Sequence, residues 1–263
     1  MDIVEKDEKN NQIIGFKPQL INSNIRFRGT NNRLICEENV ILRNSSLDFN
    51  GDNSIIFLSS NRNNYLINVS IYNNSVCFLD EHNYMNGVLN LILSEEKHIL
   101  IGKECLFSFG IWMRIADPHL IYDVDTKRRI NPTKSIFLGD HIWIGQDVFV
   151  LKGTKIGSGS IIGAKAAVSN KTISSNSSWA GNPAKEVRRG VSFNRTSVHN
   201  FTKEETENSM KDTSEEWIYK NEGGILKFDD IDYVLSNEDN VDNKVSYLFA
   251  LRNNTNHNRF YIE

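Results

Sequence analysis

The sequence predicts an all-β solenoid, because the pattern of residues 138–173 fits short stacked strands and fits no helix. An aliphatic residue recurs at every sixth position: Leu138, Ile144, Val150, Ile156, Ile162 and Val168. The next position is mostly glycine, and the fifth position of each hexad is mostly small or β-branched: Ile142, Val148, Thr154, Ser160, Ala166 and Thr172. A period of six is a multiple of the strand period of two and fits the helical period of 3.6 poorly.

Each hexad is expected to form one straight side of a coil. The aliphatic first residue points inward, the glycine relieves crowding where the chain bends, and the small fifth residue fits inside near the next corner. One coil cannot bury its apolar side alone, so successive coils must stack. The stacked coils would share a continuous core.

These consecutive hexads resemble the hexapeptide-repeat acyltransferases, and the sugar and capsular polysaccharide O-acetyltransferases among them most of all. The resemblance is specific over residues 99–189 and looser in the β-prone runs before them. It implies a three-sided left-handed parallel β-helix, which is an exception to the usual right-handed crossover.

The composition of the whole chain narrows the class of protein. A net charge of -3 over 263 residues gives no reason to expect binding to nucleic acid or to an anionic membrane. No segment is suited to secretion or to membrane insertion, so a cytoplasmic protein is expected. Cys36, Cys77 and Cys105 are far apart, which argues against a disulfide framework and against a zinc site. We interpret them as small core residues.

We divide the chain into three parts. Residues 1–20 form an N-terminal segment, residues 21–187 form the left-handed β-helix acetyltransferase domain with a loop at 117–135, and residues 188–263 form a small mixed α/β appendage. The early runs are interpreted as irregular coils of the same solenoid, and the alternative is a separate small β domain. In the appendage, residues 202–211 and 241–252 are predicted helices, the first with Thr202 as N-cap. The appendage could close the end of the solenoid or contact a neighbouring subunit.

His119 is the candidate general base. It lies in the loop that interrupts the hexads, and Trp143-Ile144-Gly145 begins 24 positions later, an interval that resembles the one between the loop histidine and the Trp-Ile-Gly segment of the sugar O-acetyltransferases. A sugar hydroxyl is too weak an acid to attack a thioester unaided, and a neutral imidazole can take its proton. Position alone would favour a solvated loop histidine. Asp117 could orient the imidazole, but an Asp before proline also suits a turn.

Trp143 occupies the sixth hexad position, where side chains point outward. Its functional interpretation is a wall of the acceptor and acetyl site, and the alternative is packing between subunits. The resemblance further implies a homotrimer that binds acetyl-CoA as co-substrate along the groove between adjacent prisms. It places the CoA contacts at Gln146, Ala164, Ser169 and Asn170, with Lys185 and Arg188 near the CoA phosphates. Gln146 stands where a smaller residue is more usual, and Lys171 comes one place later than the common lysine.

The predicted function is direct acetyl transfer from acetyl-CoA to a hydroxyl of a surface polysaccharide or glycan. The basic run Lys127-Arg128-Arg129 could attract an anionic acceptor such as a sialic acid or an acidic capsular polymer, or it could be a solvated turn. The alternatives are N-acetylation of an amino sugar and a non-catalytic assembly module. No HxxxxH pair is present, so the zinc carbonic anhydrases that share this solenoid are disfavoured and no metal is expected.

Overall fold

Three short strands per turn build a three-sided parallel β-helix in the computed structural model, which describes residues 2–263. The strands are numbered along the chain. Face 1 contains β1 (Ile3–Lys6), β2 (Gln12–Gly15), β5 (Arg33–Cys36), β8 (Ile55–Leu58), β10 (Val76–Leu79), β13 (Ile99–Ile101), β16 (Ile136–Leu138), β19 (Lys155–Ile156) and β22 (Thr172–Ile173). Within this sheet β1 is antiparallel to β2, and each later strand is parallel to the one before it.

The other two faces are built in the same way. Face 2 contains the pair β3 (Gln19–Ile21) and β6 (Ile41–Arg43), and then β11 (Tyr84–Met85), β14 (Leu106–Phe107), β17 (Trp143–Ile144), β20 (Ile161–Ile162), β23 (Ser177–Ala180) and the antiparallel β24 (Lys185–Arg189). Face 3 contains β4 (Asn24–Phe27), β7 (Ser46–Phe49), β9 (Ile67–Ile71), β12 (Leu89–Leu93), β15 (Trp112–Arg114), β18 (Phe149–Leu151) and β21 (Ala167–Val168).

The hexad pattern describes the interior of the last coils. All six aliphatic residues of the first column are at most 1% exposed. A Cβ on Gly145 would lie 2.7 Å from the backbone nitrogen of Ala164 in the next coil, so this glycine permits close stacking. The inward placement of Thr172 is wrong, since Thr172 is exposed and Ile173 is buried. The pairing of Ile156 with Ile173 shows the reason, because this coil is one residue shorter than the 18 of three hexads.

The early β-prone runs are coils of the same solenoid, as predicted, but these coils are longer. Ile35 pairs with Ile14 and with Phe57, at spacings of 21 and 22 residues. The additional residues form turns in which asparagine adopts positive φ, a conformation that asparagine tolerates better than most residues. The Asn10 amide donates to Asn31, and the Asn31 amide donates to Asn53, at 2.6 and 2.7 Å. Asparagine ladders therefore stabilise the corners of the early coils.

The C-terminal region covers face 1. It contains α1 (Lys203–Asn208), capped by Thr202, then α2 (Phe228–Asn237) and α3 (Val241–Arg252). Apolar residues of α2 and α3 pack on the outer side of face 1, where the Phe228 ring stacks on Phe137 at 5.2 Å. The middle strands of face 1, β5, β8, β10, β13 and β16, are therefore buried on both sides, and a run such as Ile55–Leu58 shows no polar alternation. No helix within residues 2–263 is long and apolar enough to cross a membrane.

Arginines of this region also bind acidic residues at the corner between faces 1 and 2. The fully buried Arg259 guanidinium donates to Asp140 at 2.7 and 2.9 Å and to Asp80 at 2.5 Å. Arg252 pairs with Glu37 and Glu81. Burial raises the pKa of Asp80 above its ordinary value, although Arg259 opposes the shift. The C-terminal region is therefore fixed to the solenoid by buried charge as well as by apolar contact.

Candidate functional site

The loop that carries His119 leaves the prism at the corner between faces 3 and 1. It begins after β15 and returns at β16, where Leu100 pairs with Phe137 across 37 residues of sequence. An antiparallel bridge joins Tyr122 to Arg129. His119 lies on the outgoing side of this loop and is exposed.

Asn131 fixes the backbone on both sides of His119. Asn131 is only 5% exposed. The amide nitrogen donates to the carbonyl oxygen of His119 at 2.8 Å, and the amide oxygen accepts from the backbone nitrogen of Ile121 at 2.9 Å. A buried carboxamide with both ends bonded has little freedom, so the imidazole projects from a fixed segment.

Asp117 is bound by two other residues. Its carboxylate pairs with the Lys152 ammonium and accepts a hydrogen bond from the Asn131 amide at 3.2 Å. The hydrogen bond from Lys152 is the main cause of the lowered pKa of Asp117, so this carboxylate stays ionised in its ion pair. These contacts give Asp117 a structural role at the base of the loop.

The basic run divides into one tethered residue and two exposed ones. The Arg129 guanidinium makes a bidentate pair with Glu95 at 2.7 and 2.9 Å. Hydrogen bonds from Arg129 and then Thr133 lower the pKa of Glu95 to about 2. Lys127 and Arg128 are exposed on the same loop. Arg129 therefore holds the loop against the solenoid, and Lys127 and Arg128 project from it.

Trp143 lies on face 2, and 44% of it is exposed. Its backbone nitrogen donates to the carbonyl of Ser160 at 2.9 Å, and its ring lies 5.8 Å from the ring of Phe193. His119 lies beyond the opposite corner of the prism, between faces 3 and 1. A single protomer therefore presents the two catalytic candidates on separate sides.

The candidate CoA contacts fall at three places. Gln146 and Ala164 lie in stacked turns between faces 2 and 3, where the Gln146 carbonyl accepts from the Lys165 backbone nitrogen at 2.7 Å. Ser169 and Asn170 are exposed in the turn between faces 3 and 1. The last two candidates are exposed on β24 at the end of face 2: Lys185 and Arg188.

A groove beside Trp143 was not anticipated from the sequence. Residues 193–199 cross over face 2 and enclose a cavity of about 870 Å³ with β11, β14 and β17. The segment is anchored by His141, whose fully buried ring stacks on Phe193 at 4.0 Å and on Trp217 at 3.8 Å. Burial lowers the pKa of His141 to about 4, so the ring is neutral near pH 7. The only sequence signal was the outward Trp143 itself.

Comparisons with known proteins agree with this fold. A scan against protein-family models found no match. A polysialic acid O-acetyltransferase of Neisseria meningitidis is 28% identical over 118 residues, which is 44% of this chain and 54% of the relative. A polysialic acid O-acetyltransferase of Escherichia coli O1:K1 / APEC is 36% identical over 105 residues, which is 40% of this chain and 34% of the relative.

A solved structure extends the similarity to most of the fold. The crystal structure of the polySia specific acetyltransferase NeuO superposes with a TM-score of 0.61 at 27% identity, covering 74% of this chain and 91% of that chain. The chain is related to the hexapeptide-repeat acetyltransferases. The predicted family and the predicted left-handed β-helix are thereby confirmed.

The matched part of the curated relatives is limited. The chain spans about half the length of the Neisseria relative and about a third of the Escherichia relative. The relationship to the hexapeptide-repeat acetyltransferases therefore rests on this shared part and on the solenoid as a whole.

Proposed function

We propose that this hexapeptide-repeat protein transfers the acetyl group of acetyl-CoA to a hydroxyl of an anionic glycan, with polysialic acid as the acceptor class. The observation that carries the proposal is an exposed histidine on a fixed loop of a solenoid that matches a polySia specific acetyltransferase. The names of the curated relatives support the acceptor class. The exposed Lys127 and Arg128 would attract a polymer of negative charge. The cytoplasm is the proposed compartment.

His119 would act as the general base. Its neutral imidazole takes the proton of the sugar hydroxyl while the hydroxyl oxygen attacks the thioester carbonyl carbon. A backbone NH group near Trp143 or at a coil corner would stabilise the resulting oxyanion, although the backbone nitrogen of Trp143 itself already donates to the carbonyl of Ser160. When the carbon–sulfur bond breaks, the imidazolium returns the proton to the leaving thiolate. The products are the acetyl ester and free CoA thiol.

Direct transfer is favoured over an acetyl-cysteine intermediate. Cys36, Cys77 and Cys105 are buried in the core, and burial raises the pKa of each thiol. A cysteine nucleophile acts as its thiolate, which these environments disfavour.

A homotrimer would bring the catalytic candidates together. Since His119 and Trp143 lie on separate sides of one prism, the loop of one protomer would meet face 2 of the next. Exposed aromatic side chains support this arrangement, because Phe109, Trp112 and Phe149 are between 37% and 46% exposed. A neighbouring prism would cover them.

The experiment that tests this function is product analysis of polysialic acid incubated with acetyl-CoA and the protein. The account predicts an acetyl group that mild alkali removes, since an ester is labile and an amide is not. A glycan without added acetyl groups, under conditions where acetyl-CoA binds, would contradict the proposed acceptor. Transfer of an alkali-stable acetyl group to an amino sugar offered as the acceptor would instead identify N-acetylation.

Replacing Lys185 by alanine should raise the KM for acetyl-CoA and leave kcat nearly unchanged. Lys185 is exposed on β24, and the loss of one exposed charge contact of about 1 kcal/mol corresponds to a roughly fivefold effect. Steady-state kinetics at two salt concentrations measures it, since salt screens such a contact. Lys211→Ala, at another exposed lysine, is the matched control. An unchanged KM would remove Lys185 from the phosphate site.

Replacing Asn131 by aspartate should lower kcat by about 10–100-fold, because the donor to the His119 carbonyl is lost, a second carboxylate is placed beside Asp117, and the base is displaced. Aspartate keeps the oxygen that accepts from Ile121. The KM for acetyl-CoA should change little, and thermal melts should show that the protein remains folded. Asn237→Asp, on the exposed side of α2, is the control. A kcat equal to that of the wild type would mean that Asn131 does not position the base.

A further inference from the structure

We propose that the groove between face 2 and residues 193–199 binds sugar units of the acceptor that flank the one being acetylated. This inference rests on the proposed function and names the place where the polymer lies. It identifies a binding site that begins at Trp143 and extends away from the reacting atoms, lined by a segment of the C-terminal region.

The floor of the groove is a column of outward side chains on consecutive coils. Tyr84, Leu106 and Trp143 are Cα neighbours across β11, β14 and β17. Tyr84 is 43% exposed and Trp143 is 44% exposed, so two aromatic surfaces face the opening. The floor therefore extends from the catalytic candidate Trp143 toward the earlier coils and ends near Asn63.

The opposite wall is held in place by charge and by stacking. The Arg195 guanidinium pairs with Glu104 and donates to the carbonyl of His82 at 3.0 Å. Phe193 is stacked on the buried His141. Both anchors join the segment to the solenoid, so the groove exists before any ligand arrives and needs little ordering on binding.

The lining suits sugar rings. Most of the polar side chains are uncharged amides and hydroxyls, among them Asn86, Ser108 and Ser197. The ring of His199 is hydrogen-bonded to Ser197 at 2.7 Å, and the one arginine, Arg195, is already paired with Glu104. Pyranose rings combine an apolar face, which packs on aromatic rings, with hydroxyls that hydrogen-bond to amides. A CoA phosphate would find no unpaired arginine and no lysine in the lining of this groove.

The direction of the groove agrees with this occupant. The proposed CoA contacts Ala164 and Lys185 lie toward the last coils, whereas the groove extends from Trp143 toward the earlier ones. The thioester would then meet the acceptor hydroxyl at Trp143, with CoA on one side and the polymer on the other. The sugar carboxylates would remain at the open side of the groove.

The test compares Tyr84→Ala with Tyr72→Ala, an equally exposed tyrosine outside the groove lining. For long polysialic acid, Tyr84→Ala should raise the acceptor KM by about tenfold, the effect of losing one aromatic contact, with kcat and the KM for acetyl-CoA unchanged. A sialic acid dimer, too short to fill the groove, should be used equally well by both variants. An acceptor KM for the polymer equal to that of Tyr72→Ala would overturn the proposal.

Direct binding separates this proposal from the proposed function. Calorimetry with long polysialic acid and the His119→Ala protein, without acetyl-CoA, should show binding that Tyr84→Ala weakens by a similar factor. If the His119→Ala protein binds the polymer equally well with and without Tyr84→Ala, and the wild type still transfers acetyl groups, the proposed groove would be overturned and the proposed function would stand. Neither binding nor turnover by the wild type would overturn both.

Discussion

Replacing His119 by alanine should lower turnover by about 10²–10⁴, which corresponds to about 3–5 kcal/mol of activation free energy. The imidazole is the proposed acceptor of the hydroxyl proton, and without it the hydroxyl must attack the thioester unaided. His119 is exposed, and it accepts a hydrogen bond from Asn131 through its backbone carbonyl, which alanine keeps, so the substitution should leave the fold intact. Single-turnover and steady-state rates of acetyl transfer measure the effect.

Two controls separate a lost base from a damaged protein. His257→Ala removes an exposed histidine of the C-terminal region and should keep wild-type turnover. Co-expression of His119→Ala with Trp143→Ala should restore part of the activity if adjacent protomers share one site, because some interfaces would then carry both intact residues. Near-normal turnover by His119→Ala alone would contradict its role as general base.

Replacing Arg259 by methionine should lower the free energy of unfolding by about 3–5 kcal/mol, the usual cost of removing one partner of a buried ion pair. Arg259, Asp80 and Asp140 are each about 1% exposed, so the substitution leaves the Asp140 carboxylate buried without its cation and leaves Asp80 with Arg252 alone, at 3.4 Å. The melting temperature should fall by roughly 10 °C in a chain of this size. Thermal and urea unfolding measure both quantities.

The pH dependence of this deficit provides a second test. The pKa of Asp80 is already raised by burial, and loss of Arg259 should raise it further. A carboxyl whose pKa is higher in the folded than in the unfolded state stabilises the fold when it is protonated, so the deficit should shrink as the pH falls. Asp80→Asn in the Arg259→Met background should recover part of the stability at neutral pH. Arg189→Met, at an exposed pair with Glu186, should change little.

The interior of the solenoid was predictable because its rule is local. A six-residue repeat specifies which side chains face inward, and the buried column from Leu138 to Val168 follows it. The same local rule failed at Thr172, where one coil is shorter. The sequence also contains a sign of the cover on face 1, since an unbroken apolar run such as Ile55–Leu58 indicates burial on both sides.

The remaining features, the attachment of the C-terminal region and the groove on face 2, depend on contacts between residues that are distant in sequence. Arg259 meets Asp140 and Asp80 across 119 and 179 positions, and no spacing rule links them. Residues 193–199, which form the wall of the groove, likewise contact parts of face 2 that are distant from them in sequence. The role of His119 was predicted from the resemblance to the sugar O-acetyltransferases. The hydrogen bond from Asn131 to its backbone was visible only in the structure.

The most direct test of the central claim is the release of free thiol from acetyl-CoA by the wild-type protein, with and without polysialic acid. The account predicts release that depends on the polymer and saturates with it, and that falls by at least about 10² in His119→Ala. Release that is independent of every acceptor, or that persists in His119→Ala, would contradict acetyl transfer to a glycan by this loop.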